Sequence, residues 1–248
     1  MSDCQFAVGD DRRIHHAINQ ARDAIFAIGH GKGKDGGAIA DLDYEAAFDL
    51  ICMRWIFMVL RKKGLHPTVI ERLERIYGGG ITIPMVNNIP GRHIKNIRGT
   101  LRQGDCPSSV WYAYGIDPLI HLLQKTLTGI TIYSAPVLGP AIKGHPRRLQ
   151  PLEVKYKVVG YVDDVKPAVS NLQELTVIDN ASRLFEQASG CRLHRDPSTD
   201  KCKLLLLGKW KEIVTQNDIP LPYLKISPFL DMLGVRLSDK FVTTQSFN

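Results

Sequence analysis

Val158-Val159-Gly160-Tyr161-Val162-Asp163-Asp164-Val165 sets two adjacent carboxylates at the end of an apolar strand. Side by side they repel each other, and one of them acquires a raised pKa unless a cation lies close by. A divalent metal answers that repulsion, because hard oxygen ligands suit Mg2+. The competing reading is an acidic hairpin turn, since Asp favours turns through hydrogen bonds to its own backbone. The pattern predicts two strands, Lys157 to Asp164 and Val165 to Val169, meeting at a tight turn.

Upstream, Ala38-Ile39-Ala40-Asp41-Leu42-Asp43 reads as a second buried strand ending in acids. A carboxylate from this strand end completes a site for two Mg2+ ions about 3.5–4 Å apart. One ion lowers the pKa of an attacking hydroxyl and the other neutralises leaving phosphates. Asp43 is the first candidate, with Asp41 and Asp49 as competitors. Strand alternation puts Asp41 and Asp43 on one face, so periodicity alone does not choose between them.

Around these strands the remaining elements follow. Ile14, Ala17, Ile18, Ala21, Ile25 and Ile28 have helical spacing, and Gly29 stops that helix. The glycine-rich loop His30 to Gly37 follows. Helices are predicted over Tyr44 to Lys63, Thr68 to Tyr77, Leu172 to Ala188 (ending at Gly190) and after Pro107. Ile81 to Ile97 alternates around Asn87-Asn88 and Pro90-Gly91, which predicts a hairpin. Ser134 to Glu153, rich in proline and glycine, reads as a loop, and Lys203 to Leu207 as a strand. Strands and helices mix without strict alternation, so the expected class is α+β.

The chain has 248 residues, 44% hydrophobic and 23% charged, which excludes a disordered tail, a collagen-like fibre and a disulfide miniprotein. Its net charge of +7 favours polyanionic partners. The longest near-apolar run, Ile51 to Leu60, is too short for a membrane span and contains Arg54. Met1 to Asp11 carries acids and no apolar core of a signal peptide. Five scattered cysteines, an odd number, point to reduced thiols and an intracellular setting. Cys191, His194 and Cys202 lack a fourth ligand at zinc spacing and read as ordinary residues.

Five blocks in order carry a resemblance. They are Asp43-Tyr44-Glu45-Ala46-Ala47-Phe48-Asp49; Arg98-Gly99-Thr100-Leu101-Arg102-Gln103-Gly104-Asp105-Cys106-Pro107-Ser108; Ile116-Asp117-Pro118-Leu119; Tyr161-Val162-Asp163-Asp164; and Ser189-Gly190-Cys191-Arg192-Leu193 with Lys201-Cys202-Lys203. Leu233-Gly234-Val235 adds a short sixth. Over nearly its whole length the chain resembles the reverse transcriptases of non-LTR (LINE-like) retrotransposons.

The resemblance implies a polymerase palm, an antiparallel sheet packed on helices, with partial fingers and little or no thumb. Residues 1–37 would be residual fingers and a connecting helix. Palm would cover 38–60 and 101–237, a fingers insertion 61–100, and the start of a thumb or tail 238–248. The implied activity is RNA-directed DNA polymerisation by two-metal phosphoryl transfer to a primer 3′-hydroxyl. Asp43, Asp163 and Asp164 match the metal-binding positions for two Mg2+ ions (Mn2+ as a substitute), and Asp49 a structural one. Phe48 matches the gate that crowds a ribose 2′-hydroxyl, against plain helix-face packing. Gln103 and Gly104 match the loop that lines the incoming nucleotide.

Lys201 matches a lysine that protonates departing pyrophosphate, with Lys203 as its rival. The implied partners are an RNA template, a DNA primer, deoxynucleoside triphosphates and the remainder of a retroelement polyprotein, with no membrane. Basic clusters at Arg61-Lys62-Lys63, Arg92 to Arg102, Arg147-Arg148, Lys155 to Lys157 and Lys209 to Lys211 fit a groove for a nucleic-acid backbone. Departures are Ala46 in place of the family lysine and Ser108-Ser109-Val110 in place of Leu-Ser-Pro. Few residues precede the first helix or follow Leu233-Gly234, so truncation at both ends is expected. Two alternatives stand beside this reading. One is an inactive remnant that at most binds nucleic acid. The other is a telomerase-type or group-II-intron-type enzyme that shares the Tyr-x-Asp-Asp turn.

Overall fold

A computed structural model describes residues 3–7, 13–29, 36–78, 81–92, 94–95, 101, 105, 107–133, 137–138, 149–150 and 153–238. The first helix, α1 (Ile14–Gly29), buries Ala17, Ala21, Ile25 and Ile28 of the predicted stripe together with Ala24, while Ile18 is partly buried and Ile14 lies exposed. Strand β1 (Gly37–Asp41) follows, then β2 (Tyr44–Glu45), α2 (Ala47–Leu50) and α3 (Met53–Lys62). The continuous helix expected over Tyr44 to Lys63 is therefore broken into three pieces. Tyr44 and Glu45 spend their backbone groups on a strand partner near residue 192. Ala46 is left-handed at φ 36°, and Ile51 and Cys52 are extended, with Cys52 N–H donating to the Ser189 carbonyl at 2.7 Å.

Helix α4 (Pro67–Gly78) matches the expected Thr68 to Tyr77 within one residue at each end. Next come β3 (Ile81–Thr82), β4 (Met85–Val86), β5 (Ile89–Pro90) and β6 (Ile94–Lys95). β4 pairs with β5 inside the pairing of β3 with β6, so the predicted hairpin is a nested one. Asn87 and Asn88 both hold positive φ at its tip, as a two-residue loop of this hand requires.

Helix α5 (Ser108–Thr126) contains Pro118, and β7 (Ile130–Tyr133) leaves its end. Within the stretch expected to be a loop, β8 (Val137–Leu138) pairs with β9 (Leu149–Gln150); most of its other residues, including Arg147-Arg148, lie outside the described ones. Strand β10 (Glu153–Tyr156) pairs with β7. β11 (Val158–Tyr161) and β12 (Asp164–Val169) form a hairpin whose two loop residues are Val162 and Asp163. The turn thus falls two residues earlier than predicted, and Asp164 enters the ladder opposite Tyr161. Helix α6 (Gln173–Ser189) stops at Gly190, whose φ of 82° provides the left-handed cap. The chain continues through β13 (Arg192–Leu193), β14 (Lys203–Leu207), α7 (Trp210–Ile213), β15 (Lys225–Ile226), β16 (Leu230–Met232) and β17 (Val235–Leu237).

The main sheet has the order β11-β12-β1-β14-β15, antiparallel except for β14 with β15. Alternation sorts its side chains onto two faces. Ile39, Val159, Ala168, Leu205 and Leu207 pack under α1, while Ala38, Ala40, Val158, Val165, Leu204 and Leu206 pack against α5 and α6. Both faces are covered, so β1 and β14 read as unbroken apolar runs. The result is α+β. No described helix is long and apolar enough to cross a membrane.

Two close approaches hold helices onto this frame. A Cβ on Gly160 of β11 would stand 2.5 Å from Ile120 Cδ1, so glycine lets α5 sit directly on the strand. A Cβ on Gly115 of α5 would stand 2.6 Å from Ile51 Cδ1. Beside it, the Trp55 indole N–H of α3 donates to the Gly115 carbonyl at 2.8 Å.

Candidate active site

The acids arise where three strands of the main sheet end together. β1 and β12 are antiparallel, with Ala38 opposite Val169 and Ile39 opposite Ala168, and a further bridge joins Leu42 to Val165. The hairpin loop therefore comes to lie over the end of β1. The approach to β14 supplies Lys201 and Lys203 from the other side. Asp41, Asp43, Asp163, Asp164, Lys201 and Lys203 line one open cleft of about 410 Å3.

Within the cleft the acids have different neighbours. Lys166, 1% exposed, extends its ammonium between Asp41 Oδ1 and Asp164 Oδ1, 2.5 Å from each. Burial works against charge on this lysine, but Asp41 and Asp164 together outweigh it and hold its pKa above the ordinary value. Burial is also the main reason that Asp41 rises to about 6, with Lys166 opposing and Asp164 reinforcing the shift. Asp43 is half open to solvent. Its Oδ2 has His194 Nε2 at 3.6 Å and Lys201 Nζ at 3.9 Å. Its backbone is anchored at both ends: N–H to Cys202 Sγ at 3.5 Å, and carbonyl to His194 N–H at 2.9 Å.

Asp163 stands on the hairpin loop as an exposed residue, yet the cleft walls desolvate its carboxylate and raise its pKa. Asp164 and Asp43 add like charge to the same effect. Val162, beside it, holds φ 56°, a conformation that costs a β-branched residue about 1–3 kcal/mol.

The other predicted residues divide. Phe48 is partly buried, its ring tilted on Tyr112 at 5.0 Å between centroids. Burial, then Cys191 and then Asp163, push the Tyr112 hydroxyl well above its ordinary pKa. Lys203 pairs with Asp231 at 2.9 Å and lies over the Phe229 ring, which ties it to the β16–β17 hairpin; Lys201 is the lysine beside Asp43. Gln103 and Gly104 lie outside the described residues. Among the basic clusters, Arg61 pairs with Glu74, Lys63 with Asp117 at 2.5 Å, and Lys157 donates to the Gln124 carbonyl at 3.0 Å.

Sequence reasoning missed Lys166, His194 as a neighbour of Asp43, and Gln5. Lys166 had left a signal. It is a charged residue inside an apolar strand, two positions from Asp164 and so on the same face.

The donor chemistry suits a hard cation: all three predicted ligands offer carboxylate oxygens, and Asp164 and Asp43 set like charge near Asp163. Among the described residues, however, no three His, Cys, Asp or Glu side chains are grouped to hold a metal ion as they stand. Asp164 is turned onto Lys166, and Asp43 faces Lys201 and His194.

No protein-family model matches the chain. It is 25% identical over 215 residues to the transposon TX1 uncharacterized 149 kDa protein of Xenopus laevis, covering 85% of this chain and 14% of that protein. Among solved structures, telomerase from Candida albicans, in complex with a TWJ fragment of telomeric RNA, superposes with a TM-score of 0.54 at 14% identity. That match covers 97% of this chain and 35% of the telomerase. Apo telomerase from Candida tropicalis, truncated from its C-terminal domain, gives 0.54 at 10% identity, with 94% and 39% coverage. The chain thus spans about a third of the telomerases and a seventh of the transposon protein, and shares an α+β fold with the former.

Proposed function

We propose that this chain is the palm and part of the fingers of an RNA-directed DNA polymerase of the non-LTR retrotransposon type. The observation that supports it most is the shared cleft: Asp43 and Asp163-Asp164 are far apart in sequence, yet line one opening with Lys201 beside them. Asp43, Asp163 and Asp164 would hold two Mg2+ ions. Such a pair, when bound, activates an attacking hydroxyl and offsets charge on the departing phosphates. The chain's own residues do the rest. The anchored backbone of Asp43 fixes one ligand, and the Lys166 ammonium orients the Asp164 carboxylate from below. Lys201 can deliver a proton to pyrophosphate from the solvent side. Phe48, braced on Tyr112, would be the residue that excludes a ribose 2′-hydroxyl. An RNA template, a DNA primer and deoxynucleoside triphosphates are the partners on this reading, and residues 38–60 and 101–237 are palm.

The test is Mg2+-dependent extension of a DNA primer on an RNA template. Asp163→Asn is expected to lower incorporation at least 100-fold while leaving filter binding of the template–primer within about twofold, since phosphate contacts carry affinity. Equal incorporation by the variant and the native chain overturns the assignment. One observation favours a second reading, a chain that binds nucleic acid without polymerising: Asp43 and Asp164 already face ammonium groups of the protein itself. Binding of template–primer with no nucleotide incorporation by the native chain selects that reading.

A further inference from the structure

We infer that Gln5 is a positioning residue for the Tyr161-Val162-Asp163-Asp164 turn, a role that rests on the polymerase reading above. Residues near the amino end add a short strand to the open edge of β11. Gln5 bridges Gly160 in parallel, Phe6 N–H donates to the Gly160 carbonyl at 2.9 Å, and Gly160 N–H donates to the Cys4 carbonyl at 2.8 Å. The side chain of Gln5 is fully buried. Its Oε1 accepts from Val162 N–H at 3.2 Å and from Ala7 N–H at 3.1 Å, and its Nε2 donates toward the Val162 carbonyl at 3.5 Å.

One amide thus grips both backbone groups of a residue 157 positions away. That residue is the first of the two hairpin-loop positions, where φ is positive and glycine is the usual occupant. Valine there resists the conformation through its branched Cβ. The grip supplies what the residue type does not, and the next two residues along are the acids. Gln5 touches no acid itself, so its effect on Asp163 and Asp164 passes through the loop backbone.

The experiment uses the full chain with Gln5→Met, Val162→Gly and the double variant. Methionine keeps the length and apolar stem of Gln5 and removes all three hydrogen bonds. Amide hydrogen exchange at Val162 and binding of Mn2+, used as the probe ion, are measured for each. Gln5→Met is expected to speed exchange at Val162 at least tenfold and to weaken Mn2+ binding three- to tenfold. In the double variant Mn2+ affinity should return to within twofold of Val162→Gly alone, because glycine adopts the turn unaided.

Val162 protection that survives Gln5→Met overturns the proposal, and so does a loss of Mn2+ affinity that glycine fails to restore. If Gln5→Met does not fold, the double variant is expected to fold; its failure assigns Gln5 to core packing and also overturns the proposal. A native chain that binds no Mn2+ counts against the polymerase reading instead, and exchange at Val162 then decides the grip by itself.

Discussion

Asp41 and Asp43 leave the same end of β1 two residues apart, and the fold treats them in opposite ways. Asp41 lines the cleft as a mostly buried side chain held against Lys166, which it shares with Asp164. Asp43 opens to solvent, with His194 and Lys201 at looser distances. In the first arrangement two carboxylates share one buried ammonium. The second leaves a half-open carboxylate whose two partners, a half-buried His194 and an exposed Lys201, stand 3.6 and 3.9 Å away. Position along a strand therefore does not set the surroundings of an acid. What separates the two is whether the protein has already buried a counter-charge against the side chain.

Three substitutions sharpen this contrast. Lys166→Met should cost the most, about 3–5 kcal/mol in urea unfolding, because it strands Asp41 and Asp164 beside an apolar group. The loss should also depend on pH. Asp41, at about 6 against an ordinary 3.8, favours the folded state in its protonated form. Its contribution is therefore greatest below 3.8 and declines as pH rises toward 6. Without the lysine this dependence should steepen, so the variant recovers in acid. A variant equally impaired at pH 4 and pH 8 would break the account.

Asp179 is an intermediate case, a buried acid matched by hydrogen bonds as well as charge. Burial alone would raise its pKa, but Arg195, Arg183 and Tyr223 bond its oxygens and bring it below the ordinary value. The sign is opposite to that of Asp41: this stability is present above 3.8 and is lost as pH falls through the lowered value. Asp179→Asn should cost about 1.5–3 kcal/mol at neutral pH. Its unfolding midpoint should fall less steeply on acidification than that of the native chain. Asp43→Asn should change stability least, within about 1 kcal/mol, since it is half open to solvent and its ion pairs are loose. A cost comparable to that of Lys166→Met would show that Asp43 is a structural acid, not an available one.

Much of this was readable from residue order, and the failures have physical causes. The helices beginning at Ile14 and Gln173 carry strong periodicity and clear stops at Gly29 and Gly190, and the strand from Lys203 is a short unbroken apolar run. The broken helix after Asp43 does not announce itself. Tyr44 to Lys63 contains no proline or glycine, and only pairing with residues nearly 150 positions away removes Tyr44 and Glu45 from it. Asp43, Asp163 and Asp164 were legible because acids at apolar strand ends are conspicuous. That Asp41 is tied to a buried ammonium while Asp43 is not was illegible from periodicity, since the answer lies in Lys166 on a neighbouring strand. Gln5 left no sign at all: a single amide near the amino end has no spacing to betray where it docks.

The bond from the Trp55 indole to the Gly115 carbonyl has a practical consequence. Pro118 in α5 has no N–H to donate and so interrupts the helix ladder near that carbonyl. The two helices are thus pinned by a ring that fluoresces. A red shift of its emission would report α3 lifting away from α5, giving an optical readout of this seam that needs no added label.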